Sequence, residues 1–280
     1  MAGFVVLTAA GGLFDDVLAT AAEAARAPAR RLGDRGADLP GGAQAFVRVR
    51  EALTGARVDV NLVPAAAREK RLLIADMDST IITVECIDEI AALAGVGPQV
   101  AAVTEAAMRG ELDFEGALTA RVALLEGLPV ARLEEVWRDR VRLSPGASEA
   151  VRAMAARGAM TALVSGGFEF FAERVAEAAG FAVARANRLE VQGDRLTGRV
   201  IPPILGREAK LETLRALCAR HGIDPAETMA VGDGANDLSM VEAAGLGVAY
   251  RAKPALEARA DAALRWSDLT ALMHLQGLPA

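Results

Sequence analysis

Leu72-Leu73-Ile74-Ala75-Asp76-Met77-Asp78-Ser79-Thr80 is the stretch on which the reading of this chain turns. Four apolar residues in an unbroken run read as a short strand buried on both faces, as in a parallel sheet covered by helices. Two carboxylates, Asp76 and Asp78, follow at once. In open α/β sheets, ligands bind just beyond the carboxyl ends of the strands, so these two acids stand where chemistry is done. Like charges so close together raise at least one pKa unless a cation intervenes. Taken alone, the Asp-x-Asp pair is also what a solvated turn with a helix cap looks like, and the rest of the chain must decide.

The same pattern recurs towards the C-terminus. Thr161–Val164 runs into Ser165-Gly166-Gly167-Phe168, Thr228–Val231 into Gly232-Asp233-Gly234-Ala235-Asn236-Asp237, and Gly247–Ala249 is a fourth candidate strand. A hydroxyl and free N–H groups at a strand-to-helix turn, as in Ser165-Gly166-Gly167, make either an anion site or an ordinary helix N-cap. The Gly232–Asp237 loop is not a dinucleotide fingerprint, because Asp237 replaces the third glycine, and no P-loop motif occurs. Its glycines allow a sharp turn that brings Asp233 and Asp237 over the sheet edge. Asp233 with Asp76 supplies two hard oxygen ligands, which suits Mg²⁺. Lys210, one of only three lysines against 28 arginines, shares a helix face with Leu214 and Leu217 by i, i+4, i+7 spacing. It therefore heads an apolar stripe, from which it either points over the sheet edge towards an anion or snorkels along the apolar surface. Together these residues supply a nucleophile, a metal site and positive groups for phosphate oxygens, the parts that phosphoryl transfer needs.

Two insertions interrupt the pattern. Residues 84–142 have helical periodicity throughout, over Glu85–Ala94, Gln99–Met108, Phe114–Leu125 and Val130–Val141. Residues 188–200 alternate in two short runs joined at Gly193-Asp194, a β-hairpin signal. Both are candidate lids. Ahead of Leu72, residues 1–70 read as a small α/β unit: strand Phe4–Thr8, helix Phe14–Arg26, a loop or weak strand over 28–42, helix Ala45–Leu53 and strand Arg57–Val63. The charged run Arg68-Glu69-Lys70-Arg71 reads as a linker.

Composition removes other classes. The chain has 280 residues, 52% hydrophobic and 24% charged, which is enough to bury a large core without disulfides. A net charge of −6 argues against a nucleic-acid binder. Cys86 and Cys218 form no CxxC, so neither a disulfide framework nor a thiolate zinc site is expected. The two histidines, His221 and His274, exclude a His-rich metal site; His221 precedes Gly222, where it can meet the last carbonyls of a helix. No apolar run is long enough for a membrane helix, and the N-terminus makes a poor signal peptide. A cytoplasmic protein is expected.

From about Arg71 onward the chain resembles the haloacid dehalogenase superfamily, and within it the branch that dephosphorylates phosphoserine. The motif residues are Asp76 to Thr80, Ser165 to Phe168, Lys210 and Gly232 to Asp237; those resembling that branch run from Ile81 to Glu89 and include Ala107-Met108, Phe114-Glu115, Arg121-Val122, Ala186-Asn187-Arg188 and Leu196-Thr197-Gly198. The resemblance implies an α/β fold: a Rossmann-like parallel sheet over residues 71–280, with a helical cap at about 84–142 and a hairpin flap at about 186–202. Residues 1–70 loosely resemble the ACT-like N-terminal extension of bacterial members, although the βαββαβ order is incomplete in the sequence pattern.

By the same resemblance, Asp76 is the nucleophile and becomes an aspartyl-phosphate, and Asp78 is the general acid and base. Mg²⁺ is held by Asp76, the Asp78 backbone carbonyl and Asp233. Ser165, Gly166 and Lys210 bind phosphate oxygens, with Asn236 and Asp237 in support. Glu85 takes the substrate ammonium and Arg121 its carboxylate, while Met108 and Phe114 close the pocket. The implied reaction is hydrolysis of O-phospho-L-serine in serine biosynthesis; the competing expectation is a related phosphatase or phosphotransferase for another phosphorylated amino acid, such as phosphohomoserine. The expected partner is the small substrate, optionally with a second copy of the chain.

Overall fold

Alternating burial along Asp59–Pro64 and the apolar run Val5–Leu7 pair these segments into one sheet, in the computed structural model, which describes residues 3–280 without the side chain of Met108. The first unit runs β1 (Gly3–Thr8), α1 (Asp15–Ala25), β2 (Arg30–Arg31), β3 (Gly36–Gly41), α2 (Ala43–Ala52) and β4 (Asp59–Pro64). Its antiparallel sheet has the order β2-β3-β1-β4, and α1 and α2 close over one face around Val5, Leu7, Leu39, Leu18 and Val49. The region 28–42, read above as loop or weak strand, holds both missing strands. β2 has two residues and β3 is rich in Gly, Asp and Pro, so β-propensity gives no signal there. Pairing with β1, from Gly3↔Gly41 to Thr8↔Gly36, makes the strand instead. The order is thus a complete βαββαβ, the ferredoxin-like arrangement.

The second unit opens with β5 (Leu72–Ala75) and continues through the cap helices α3 (Cys86–Ala94), α4 (Gly97–Met108), α5 (Phe114–Ala123) and α6 (Ala131–Asp139). It returns to the sheet through α7 (Ala147–Ala156), β6 (Met160–Phe168), α8 (Glu169–Ala179), β7 (Val183–Gln192), β8 (Arg195–Ile201) and α9 (Arg207–His221). β9 (Thr228–Gly232), α10 (Leu238–Ala243), β10 (Leu246–Tyr250), α11 (Pro254–Glu257), β11 (Ala262–Leu264) and α12 (Ala271–Leu275) complete it. The seven-stranded sheet has the order β11-β10-β9-β5-β6-β7-β8, parallel except for the β7–β8 hairpin. The chain leaves β5 for β6 on one side and reaches β9 on the other, so β5 sits at the switch point where open α/β sheets form their crevice. Register puts Ala75 opposite Leu163 and Val231, which brings Asp76, Ser165 and Asp233 to one rim.

The two lids read from the sequence are joined to each other. Gly127 N–H donates to the Leu196 carbonyl and Val130 N–H to the Asp194 carbonyl, so the hairpin is pinned to the cap. Nor is the expected linker a loose one. Arg68 lies 4.2 Å over the Phe4 ring, pairs with Asp38 at 2.6 Å and donates to the Leu275 carbonyl. Lys70 is buried with its Nζ on the Ala226 carbonyl. The units also meet edge to edge. The Asn61 side-chain amide both donates to and accepts from the Ala263 backbone, and Asp59 accepts from the N–H groups of Arg265, Trp266 and Ser267. No helix among the described residues is long and apolar enough to cross a membrane.

Candidate active site

The β5 strand delivers Asp76 to the rim, with its N–H on the Val231 carbonyl and its own carboxylate accepting from Met77 N–H at 2.8 Å. The chain then turns sharply. Ser79 adopts a left-handed conformation at φ 54°, and its hydroxyl donates to Glu85 Oε1 at 2.5 Å. The turn sets Asp78 under the start of α3, where Cys86 N–H donates to its Oδ1.

Lys210 reaches the same point from α9. Its ammonium lies 2.7 Å from Asp76 Oδ1 and 2.5 Å from Asp237 Oδ1 and is buried. Asp237 Oδ2 in turn accepts from the N–H groups of Asp233 and Gly234, which fixes the second acidic loop. Gly232 is required for this, because a Cβ there would stand 2.4 Å from the Asp237 carboxylate. Asn236 donates to Asp76 Oδ2 at 3.3 Å, and Thr80 donates to Asp233 Oδ1 at 3.4 Å.

Asp76, Asp233 and Asp237 each place a carboxylate oxygen within 4.8 Å of the others. Three acids around one ammonium leave negative charge unbalanced. Burial and the charge of Asp76 push Asp233 up to about 6, with Lys253 and Lys210 only partly offsetting them. Enclosure and the charges of Glu85 and Asp76 push Asp78 up to about 7. Burial opposes the Lys210 charge, but the two carboxylates outweigh it and hold the ammonium protonated well above the ordinary range. Such an arrangement fits a hard divalent cation, which would relieve the repulsion. Asp76 and Asp233 line the cavity and Asp237 does not, so the first two are the carboxylates that a cation entering it would meet.

The third loop differs in detail from expectation. β6 does not stop at Val164 but continues through Ser165-Gly166-Gly167 to Phe168, with a register shift against β7 in between. A Ser-Gly-Gly triplet reads as a turn, yet it stays within the strand, between the pairs that Val164 and Phe168 make with Arg185 and Asn187 of β7. Gly167 N–H donates to Ser165 Oγ, and α8 starts one residue beyond the motif. Asn187 holds this loop: its amide donates to the Gly166 and Leu205 carbonyls and accepts from Leu205 N–H. Asn187 and Thr80 lie in the quoted motifs, but sequence reasoning assigned neither a role.

These loops floor a cavity of about 850 Å³ that the cap covers. The Phe114 ring descends from α5 onto Gly166, where a Cβ would stand 2.8 Å from it. Arg121 is half-buried in the wall, its Nε on the Ala117 carbonyl of its own helix, with no carboxylate ion pair among the described residues. Glu85 lines the same cavity, whereas the Met108 side chain lies outside the described residues.

Comparison with known proteins agrees with this geometry. Residues 73–242 match the haloacid dehalogenase-like hydrolase family. The chain is 42% identical over 251 residues to the phosphoserine phosphatase of Archaeoglobus fulgidus, covering 89% of this chain and 71% of that one. It is 48% identical over 202 residues to that of Idiomarina loihiensis, covering 72% and 91%. A solved structure of a probable phosphoserine phosphatase from Vibrio cholerae superposes with a TM-score of 0.85 at 34% identity, over 98% of this chain and 86% of that one.

Proposed function

The chain belongs to the haloacid dehalogenase-like hydrolase family, and from that premise we propose that it hydrolyses O-phospho-L-serine to L-serine and phosphate, in the cytoplasm, through an aspartyl-phosphate. The observation that carries this reading is the cavity itself. An acid–lysine cluster for phosphoryl transfer lies at its floor, and two side chains of opposite charge, Glu85 and Arg121, face it from the cap.

In this mechanism an Asp76 carboxylate oxygen attacks phosphorus while the bond from phosphorus to the serine oxygen breaks. Asp78, raised to about 7, carries the proton that the leaving oxygen takes. As a carboxylate it then accepts a proton from the water that attacks phosphorus, which frees phosphate and restores Asp76. Ser165 Oγ, the Gly166 N–H and Lys210 hold the phosphoryl oxygens, while Asn236 and Asp237 keep Asp76 and Lys210 in place. Mg²⁺, held by Asp76, Asp233 and the Asp78 backbone carbonyl, would neutralise charge on the phosphoryl group. Glu85 takes the substrate ammonium, Arg121 grips its carboxylate as a planar fork, and Phe114 excludes water.

Arg121→Lys tests the substrate assignment. Lys keeps the charge but lacks the fork. Phosphoserine hydrolysis should lose about 2–5 kcal/mol in kcat/KM as the carboxylate is left poorly paired, while p-nitrophenyl phosphate, which has no amino-acid groups, is spared. Equal losses on both substrates, or a faster reaction with another phosphorylated amino acid in a phosphate-release panel, would overturn the assignment.

A further inference from the structure

Arg207 and Lys253 line the cavity, and the chemistry above uses neither side chain. Arg207 opens α9, three residues before Lys210. Lys253 precedes α11, and its backbone N–H donates to the Asp233 carbonyl at 2.8 Å. Both side chains are exposed, and among the described residues neither makes an ion pair. Elsewhere the surface arginines are commonly paired, as in Arg174–Glu134 and Arg199–Glu190. Arg207 and Lys253 are thus two cations without a carboxylate partner on the lining of one cavity.

Their surroundings sharpen the point. Asp113, Glu115 and Glu208 also line the cavity, and residues 84–142 of the cap carry eleven acidic against six basic residues. An anion approaching from solvent meets a field that repels it before it can reach Lys210, which lies buried at the floor. Charges of one sign at a low-dielectric opening raise the local concentration of the opposite ion, and they do so less as salt is added.

We propose that Arg207 and Lys253 form a cationic entrance that captures the phosphate dianion of the arriving substrate and passes it to the Ser165–Lys210 cradle. The inference rests on the reading that the substrate is a phosphomonoester. The pair acts before the chemical step, so it sets affinity and leaves turnover to the residues below. It selects for the doubly charged phosphate rather than for the amino-acid end, which Glu85 and Arg121 read.

The test is steady-state hydrolysis of O-phospho-L-serine by the R207Q/K253Q double variant across ionic strengths, with R215Q as control. Arg215 is an exposed cation on the same helix, away from the cavity lining. In the double variant KM should rise roughly tenfold at low salt and converge on the wild-type value at high salt, with kcat within about twofold. Inorganic phosphate should bind it more weakly by a similar factor. The inference is overturned if KM is unchanged, if its rise does not depend on salt, if R215Q shows the same rise, or if kcat falls while KM stays. Absence of turnover by the wild-type protein would instead defeat the phosphoserine reading. In that case equilibrium binding of inorganic phosphate still decides this one: weaker binding by the double variant supports it, and equal binding removes it.

Discussion

Two clusters built on buried carboxylates can be set side by side, one on the rim of the candidate active site and one between the two structural units. On the rim, Lys210 is shared by Asp76 and Asp237, with Asp233 beside them, so one ammonium faces three carboxylates. At the junction the ratio is reversed: Asp38, 1% exposed, lies 2.6 Å from both Arg30 and Arg68. Burial pushes Asp38 up, but the hydrogen bonds and charges of its two arginines overcome this and hold it below its ordinary value. The rim carboxyls Asp78 and Asp233 go the other way, to about 7 and about 6. The junction is thus a finished contact: Asp38 is fully paired, and the excess positive charge sits on Arg30, whose side chain is 61% exposed to water. The rim stores repulsion that an added cation would relieve, and perturbed carboxyls of this kind in a cleft mark a candidate functional site.

The contrast is broken most forcefully by Asp76→Asn. Turnover should fall by several orders of magnitude, because the proposed nucleophile is gone. The folded protein should nonetheless keep its melting temperature in chelator or gain up to about 2 kcal/mol of stability, since one source of repulsion is removed and Lys210 retains Asp237. A clear loss of stability would show that the rim is held together by its charges as the junction is. Asp38→Asn should do the reverse. It leaves Arg68, only 9% exposed at its side chain, without its carboxylate, at a cost of about 3 kcal/mol that is visible in chemical denaturation. Phosphoserine turnover at 25 °C should not change. A smaller effect follows from filling the rim: Mg²⁺ at about a hundred times its dissociation constant should stabilise the wild type by about 2.7 kcal/mol. Asp233→Asn should blunt that gain, and an equal gain in both proteins would move the metal elsewhere.

The two clusters also differ in how well the sequence exposes them. Asp76 and Asp233 follow short unbroken apolar strands, and Lys210 heads an apolar stripe, so position alone marks them. The cap helices are legible for the same reason, through apolar periodicity over 84–142. Asp38 offers no such cue. It sits in a Gly- and Pro-rich stretch that becomes β3 only by pairing with β1, and Arg68 belongs to a charged run that reads as a linker. Asn61 and Asp59 act as surrogate backbone partners for residues about 200 positions away, a role that leaves no local pattern. Asn187 and Thr80 were hidden differently. They sit within visible motifs, but their work is to hold a backbone loop and another acid, which residue type does not announce.

The smallest expected effect concerns acid, and it gives the junction a signature of its own. Asp38 has an ordinary value of 3.8 and is lower in the folded protein. The unfolded chain therefore takes up this proton at a higher pH than the folded one does. A carboxyl shifted in that direction contributes stability that is fully present above its unfolded value and is lost as pH falls through its folded value. The stability difference between wild type and Asp38→Asn should then be the same at pH 7 and pH 5 and should begin to shrink only below about pH 4. Denaturant titrations of both proteins at pH 7, 5 and 3, all in the same chelator, measure it. Holding the rim metal-free in both arms cancels the contribution of Asp78 and Asp233 from the difference. Shrinkage already between pH 7 and pH 5 would mean that Asp38 is not held low by its arginines. The junction would then share the stored repulsion of the rim, and the contrast between the two clusters would fail.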